Sequence, residues 1–213
     1  MKYFITFEGI EGCGKTTQIS FLKDFLKKKN CSVVTTREPG GTKIGDKIRR
    51  ILLDSENADI DIKTELLLYQ ASRAQHVKDV IRPALEQGCV VLCDRFTDAT
   101  SVYQGFVQGI SEDFLERLNR FTTDNLTPDL TVLIDCPVEI GLKRTEDRMK
   151  TTNQEVCENR FEEKSVDFHQ MVRLGYLQIA EHNSNRFYIV DGREDPCEVH
   201  RKIQSAVIKR IEG

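Results

Sequence analysis

Residues 3–17 read YFITFEGIEGCGKTT: an apolar run breaks at Gly9 and passes through Gly12 and Gly14 into the helical pattern of residues 15–29. The spacing G-x-x-x-x-G-K-T between a strand and a helix is that of a phosphate-cradling loop. Glycines permit backbone angles that aim several N–H groups at one centre, and the following helix adds its positive N-terminal end. Gly9, Glu11, Gly12, Cys13, Gly14, Lys15, Thr16 and Thr17 are therefore the candidate nucleotide-binding residues. Lys15 can bridge β- and γ-phosphates, and the Thr16 hydroxyl can ligate Mg²⁺. Three classes share such a loop. A GTPase switch wants an N-K-x-D motif, and a transporter ATPase wants L-S-G-G-Q; neither occurs. A small-molecule kinase needs a second site, with arginines to hold an anionic acceptor.

Outward from this loop, short continuous apolar runs alternate with helical patterns. The predicted strands are Lys2 to Glu8, Ser32 to Arg37, Cys89 to Asp94, Leu130 to Asp135 and Phe187 to Val190. Continuous rather than alternating runs fit parallel strands covered on both faces. The predicted helices are Lys15 to Lys29, Lys43 to Leu53, Ile62 to Gln87, Glu112 to Thr123, Pro137 to Lys150, Phe161 to His182 and Pro196 to Ile211. Pro83 should kink or split the third. The expected fold class is α/β, a doubly wound five-stranded parallel sheet with helices on both faces and a short lid. No repeat or linker divides residues 1–213, so one kinase-sized domain is expected, with the polar stretch Met149 to Asn159 as surface loop or lid.

Composition removes other classes. The 213 residues carry 31 Lys and Arg against 34 Asp and Glu, so no basic surplus favours a general nucleic-acid binder. No apolar run approaches the roughly 20 residues of a membrane span. Glu8 lies inside the first strand pattern, so no signal peptide is expected. Seven cysteines without a C-x-x-C pair point to reduced thiols, hence a cytoplasmic protein, rather than a zinc site. The four histidines, 76, 169, 182 and 200, show no triad or metal spacing and read as surface or helix-face residues.

Four further stretches follow or lie near strand ends, where open α/β sheets bind ligands. They are Thr36-Arg-Glu-Pro-Gly-Gly-Thr42, Leu67-Leu-Tyr-Gln-Ala-Ser-Arg73, Asp94-Arg95-Phe96 and Tyr103-Gln104-Gly105. With FEGIEGCGKTT before them and VLIDCPVEIGLKR after them, this set resembles the thymidylate kinase family, bacterial type, over essentially the whole chain. The resemblance implies transfer of the γ-phosphoryl group of ATP to dTMP with Mg²⁺, giving dTDP and ADP, and a homodimer through residues 62–81 and 112–123. It assigns Arg95 to the acceptor phosphate, joined by Arg49, although an arginine in IRRILL can equally be a solvated helix residue. It assigns Tyr69 to base stacking, which core packing would also explain. It gives Arg73 to the base carbonyl, Gln104 to the base and Tyr103 to exclusion of a 2′-hydroxyl. Thr100 or Ser101 stands in for the serine the family commonly has at Ala99.

The carboxylates divide by position. The resemblance places Glu11 near the acceptor sugar and metal; Glu38 is expected near the acceptor phosphate, with Pro39 shaping that loop, where an X-Pro bond can be cis. Asp94 ends a strand beside the phosphate loop, a place for a metal-bound water. Asp135 reads as structural. Some members of the family place an arginine where this chain has Gly12; Arg148 and Arg144, in a lid spanning about 144–160, are the expected substitutes for its charge. A kinase for another pyrimidine monophosphate and a nucleotide-binding switch without transfer activity are the competing readings.

Overall fold

Five strands and their crossovers follow the predicted alternation in a computed structural model that describes residues 2–152, 160–161 and 164–212. The strands are β1 (Tyr3–Glu8), β2 (Val33–Arg37), β3 (Val90–Asp94), β4 (Leu130–Asp135) and β5 (Phe187–Asp191). All pair in parallel, in the order β2-β3-β1-β4-β5, so β1 is central and the order reverses beside it. That reversal opens a crevice at the strands' C-terminal ends. The phosphate loop leaves β1 there.

The helices are α1 (Lys15–Lys28), α2 (Lys43–Leu53), α3 (Ile62–His76), α4 (Arg82–Glu86), α5 (Thr97–Thr100), α6 (Glu112–Thr123), α7 (Val138–Thr152), α8 (Val166–His182) and α9 (Pro196–Glu212). β1 feeds both faces by its pleat. Phe4 packs with Val77, Ile81, Val91 and Phe96 on one side. Ile5 and Phe7 join Leu22, Leu26, Ile203 and Val207 in the larger core. The edge strands are shorter of apolar burial, and Arg186 closes one end of the sheet by gripping Asp98 at 2.6 and 2.8 Å.

Three departures from the predicted elements have local causes. The long helix over residues 62–87 splits: α3 ends at His76, residues 77–81 widen into π turns, and α4 carries Pro83 in its first turn. Proline lacks an N–H and crowds the carbonyl four residues back, so the turn before it widens. Residues 97–107 form α5 and a π segment, a helix the sequence did not announce. Its β-branched residues and Gly105 disfavour helix locally; packing against α8 holds it. Finally, α8 begins at Val166 rather than Phe161, because the Ser165 hydroxyl caps it, accepting from the Phe168 N–H at 3.2 Å. Of the predicted lid, residues 153–159 lie outside the described residues. No described helix is long and apolar enough to cross a membrane.

Candidate active site

The loop after β1 turns on three left-handed glycines, Gly9, Gly12 and Gly14, with φ of 135°, 70° and 107°. Gly14 occupies the position before α1 and brings no side-chain cap, so the first N–H groups of α1 stay open to a ligand. The Lys15 ammonium folds over the loop, donating to the carbonyls of Gly9 (3.0 Å) and Ile10 (2.9 Å). Around the loop lies a cleft of about 1010 Å³.

This cleft gathers the predicted residues from six segments. Glu11 through Thr17 line it at the phosphate loop; Glu38, Pro39 and Arg49 line it from the β2–α2 side. Tyr69 and Arg73 reach it from α3, Asp94 and Arg95 from the end of β3, and Thr100, Tyr103 and Gln104 from the helical segment that follows. Arg144 and Arg148 reach it from α7. Gly9 sits behind the loop wall: a β-carbon there would come within 2.6 Å of the Ile134 carbonyl oxygen.

Arg95 is held from three sides. Its backbone sits at φ 67°, a left-handed conformation that turns the side chain across the sheet end. The guanidinium donates to Glu11 Oε1 at 2.6 Å and to the Tyr176 hydroxyl at 2.8 Å, and it lies over the Tyr103 ring at 5.2 Å. Burial alone would raise the Glu11 carboxyl. Arg95, the His169 imidazole with Nδ1 3.6 Å away and the charge of Lys15 outweigh that and hold it far below the usual carboxylate range. Tyr103 also donates its hydroxyl to Glu11, at 3.0 Å.

Arg73 is fixed as tightly. It donates to Glu38 (2.8 Å), Thr100 (2.9 Å), Asn119 (3.2 Å) and the Phe96 carbonyl (3.0 Å). Glu38 also meets His76 Nδ1 at 2.9 Å, and His76 Nε2 meets the Thr36 hydroxyl at 2.5 Å. The Glu38–Pro39 peptide is cis. Arg49 donates to the Pro39 carbonyl at 3.1 Å. Arg144 donates to the Gly192 carbonyl at 3.0 Å, which sets it at the end of the cleft where β5 hands over to α9. Asp135 is bound by both forks of Arg173, at 2.6 and 2.8 Å, as a structural residue would be.

Sequence reasoning missed the layer beneath these residues. His76 and His169 are 0% and 1% exposed, not surface residues; each faces a site carboxylate. Glu8 was legible only as a carboxylate within an apolar strand. It accepts from the Phe96 N–H (2.8 Å) and from the Tyr176 hydroxyl (2.7 Å), so it anchors both the loop carrying Arg95 and the tyrosine that holds Arg95.

Burial, together with the negative charge of Asp98, pushes the Glu8 carboxyl from 4.5 up to about 8, against the opposing pull of Arg95. The folded chain then keeps a proton on Glu8 that the unfolded chain releases. Stability from this group is therefore present below about pH 4.5 and is lost as pH rises through about 8. The wild-type melting temperature is expected to fall between about pH 4.5 and 8 and to level off above that, and that of Glu8→Gln, permanently neutral, to fall less. Equal slopes would remove Glu8 as the source.

Comparison with known proteins agrees over nearly the full length. The family model described as thymidylate kinase matches residues 7–203. Curated thymidylate kinases from Geotalea daltonii and Geobacter sulfurreducens are 53% and 49% identical, the first covering 100% of both chains and the second 99% of both. The crystal structure of thymidylate kinase from Ehrlichia chaffeensis superposes with a TM-score of 0.76 at 33% identity, covering 96% of this chain and 98% of that one.

Proposed function

The chain belongs to the thymidylate kinase family, whose activity is phosphorylation of dTMP by ATP, and we propose how its residues divide that work. The observation that carries the reading is the placement of Glu11. It touches Arg95 on one side and feels the charge of Lys15 on the other, so an acceptor cation and a donor cation flank one point in one cleft.

On the donor side, the amides of the phosphate loop and Lys15 take the triphosphate of ATP, and the adenine extends toward Arg144 and Gly192. On the acceptor side, Arg95 holds the dTMP phosphate with Arg49 and Glu38 beside it. Tyr69 stacks on the thymine, Gln104 reads its edge, Arg73 and Thr100 back that pocket, and Tyr103 fills the space a 2′-hydroxyl would need. The acceptor oxygen is already anionic, so the transfer needs no general base. Catalysis is positioning and charge stabilisation. Arg148, with Arg144, supplies positive charge over the transferred group as the lid segment, about 144–160, closes and excludes water.

The Thr16 hydroxyl and, through a water, Asp94 would hold Mg²⁺; both line the cleft beside the phosphate loop, and hard oxygen donors few in number suit an ion that keeps waters and substrate phosphates as ligands. Bound there, the ion would neutralise phosphate charge. We further read residues 1–213 as one cytoplasmic kinase domain and the working unit as a homodimer. α3 and α6 pack together and expose Leu67, Phe114 and Phe121 at 59%, 46% and 80%, an apolar surface for a second copy.

The test is ADP release with Mg·ATP and dTMP, dUMP, UMP, dCMP, AMP or GMP in parallel. Turnover with dTMP, weaker with dUMP and weakest with the purines and UMP, is expected. ATP binding without acceptor-dependent turnover would leave the phosphate loop standing and sink the acceptor assignments; slow hydrolysis that no monophosphate accelerates would indicate a switch.

A further inference from the structure

Glu65 is a carboxylate buried to 1% exposure in the first turn of α3. Three side chains from two other segments converge on it. Arg160, where the chain returns from the lid segment, ion-pairs with Oε2. Arg160 is itself fixed, donating to the Leu52 carbonyl at 2.9 Å and lying over the Phe161 ring at 4.9 Å. Oε1 accepts from Gln104 Nε2 at 2.7 Å and from Gln108 Nε2 at 3.3 Å.

A carboxylate paired with a guanidinium can only accept hydrogen bonds. Gln104, 2% exposed and lining the cleft, must therefore turn its NH₂ toward Glu65. The carbonyl oxygen is the half of the amide left for a ligand. An acceptor at that place suits a pyrimidine with hydrogen on N3, as in thymine or uracil. It opposes cytosine, whose N3 is itself an acceptor. Two facing acceptors leave both groups unpaired, and that mismatch discriminates strongly.

We propose that Glu65 is a positioning residue for base selection: locked by Arg160, it fixes the Gln104 amide so that the pocket presents an acceptor and rejects cytosine. The inference rests on the assignment of Gln104 to the base pocket. It also ties base reading to the chain's return from the lid.

The experiment compares initial rates with dTMP and dCMP at saturating Mg·ATP in the full-length protein. In Glu65→Gln the new amide both donates and accepts, so Gln104 can turn either way. The kcat/KM for dTMP is expected to fall only about two- to fivefold, while that for dCMP rises about tenfold or more. A purely structural loss would lower both. Gln104→Leu separates the two layers of the argument. If it leaves the dTMP-to-dCMP ratio unchanged, Gln104 does not read the base and the underlying assignment fails. If it changes the ratio while folded Glu65→Gln keeps the wild-type ratio, the role of Glu65 is overturned. Glu65→Gln/Arg160→Met removes charge from both partners and serves where an unpaired Arg160 prevents folding of the single variant; it too is expected to gain dCMP activity. If neither folds, Glu65 is a stability residue and the proposal falls.

Discussion

Replacing Arg95 with alanine is expected to lower kcat/KM for dTMP by about 10³-fold or more while the Kd for ATP stays within about threefold. Loss of one positioned donor to developing charge costs about 10²–10³-fold in enzymes of several classes. Two features of this site add to that. Arg95 neutralises Glu11 at 2.6 Å, so its removal leaves a half-buried carboxylate facing a dianionic acceptor. It also ties Tyr176, and through it Glu8, to the acceptor side of the cleft. ATP binding should survive because Lys15 takes its order from the Gly9 and Ile10 carbonyls, not from Arg95. Arg95→Lys should recover little: an ammonium cannot serve Glu11, Tyr176 and a phosphate with one fork. Acceptor titrations and calorimetric ATP binding on the same preparations decide it. A near-normal dTMP response in Arg95→Ala would remove Arg95 from the acceptor site.

The fold was legible because its signals are local. Continuous apolar strands, helical periods of ordinary length and a glycine-rich turn between the first pair leave few alternatives to a parallel sheet. The residues lining the cleft were legible as motifs, since chemistry demands those residue types at loop positions after strands. What lies beneath was not. His76 and Glu38 are 38 residues apart, and Tyr176 and Glu8 are 168 apart; nothing in either local sequence announces the pairing. The helix over 97–107 was hidden for a related reason. Thr97, Thr100 and Val102 are poor helix formers, and tertiary packing on α8 overrides that preference. Nor does the sequence around Arg160 signal its burial, because charge alone does not tell a solvated side chain from one folded inward. The structure buries it to 6% against Glu65.

Gly12→Ala should produce the second large effect, a fall in kcat of about 10²-fold with a much smaller change in the KM for ATP. A β-carbon at Gly12 would lie 2.0 Å from the Gly141 carbonyl oxygen and 2.8 Å from Thr145 Oγ1. The approach is mutual: a β-carbon at Gly141 would lie 2.5 Å from the Glu11 carbonyl oxygen. The closest approach in each direction is to a backbone carbonyl, and the backbone of α7 cannot yield locally without losing its own hydrogen bonds. The whole start of α7 must therefore back away from the phosphate loop by about 1 Å. Arg144 and Arg148 lie one and two turns along that helix, and both move with it. Displacement of that size costs about 10²-fold where charge must meet a transferring group. ATP should still bind, because the loop amides and Lys15 remain. Gly141→Ala approaches the same collision from the other side, so its effect should match in kind, and the double variant should lose less than the product of the two. The close approach also explains why an arginine at position 12 would not substitute for the α7 arginines in this chain. Its first side-chain atom would displace the helix that already carries the charge. A Gly12→Ala enzyme with kcat within about threefold of wild type would show that α7 does not depend on this contact for its position.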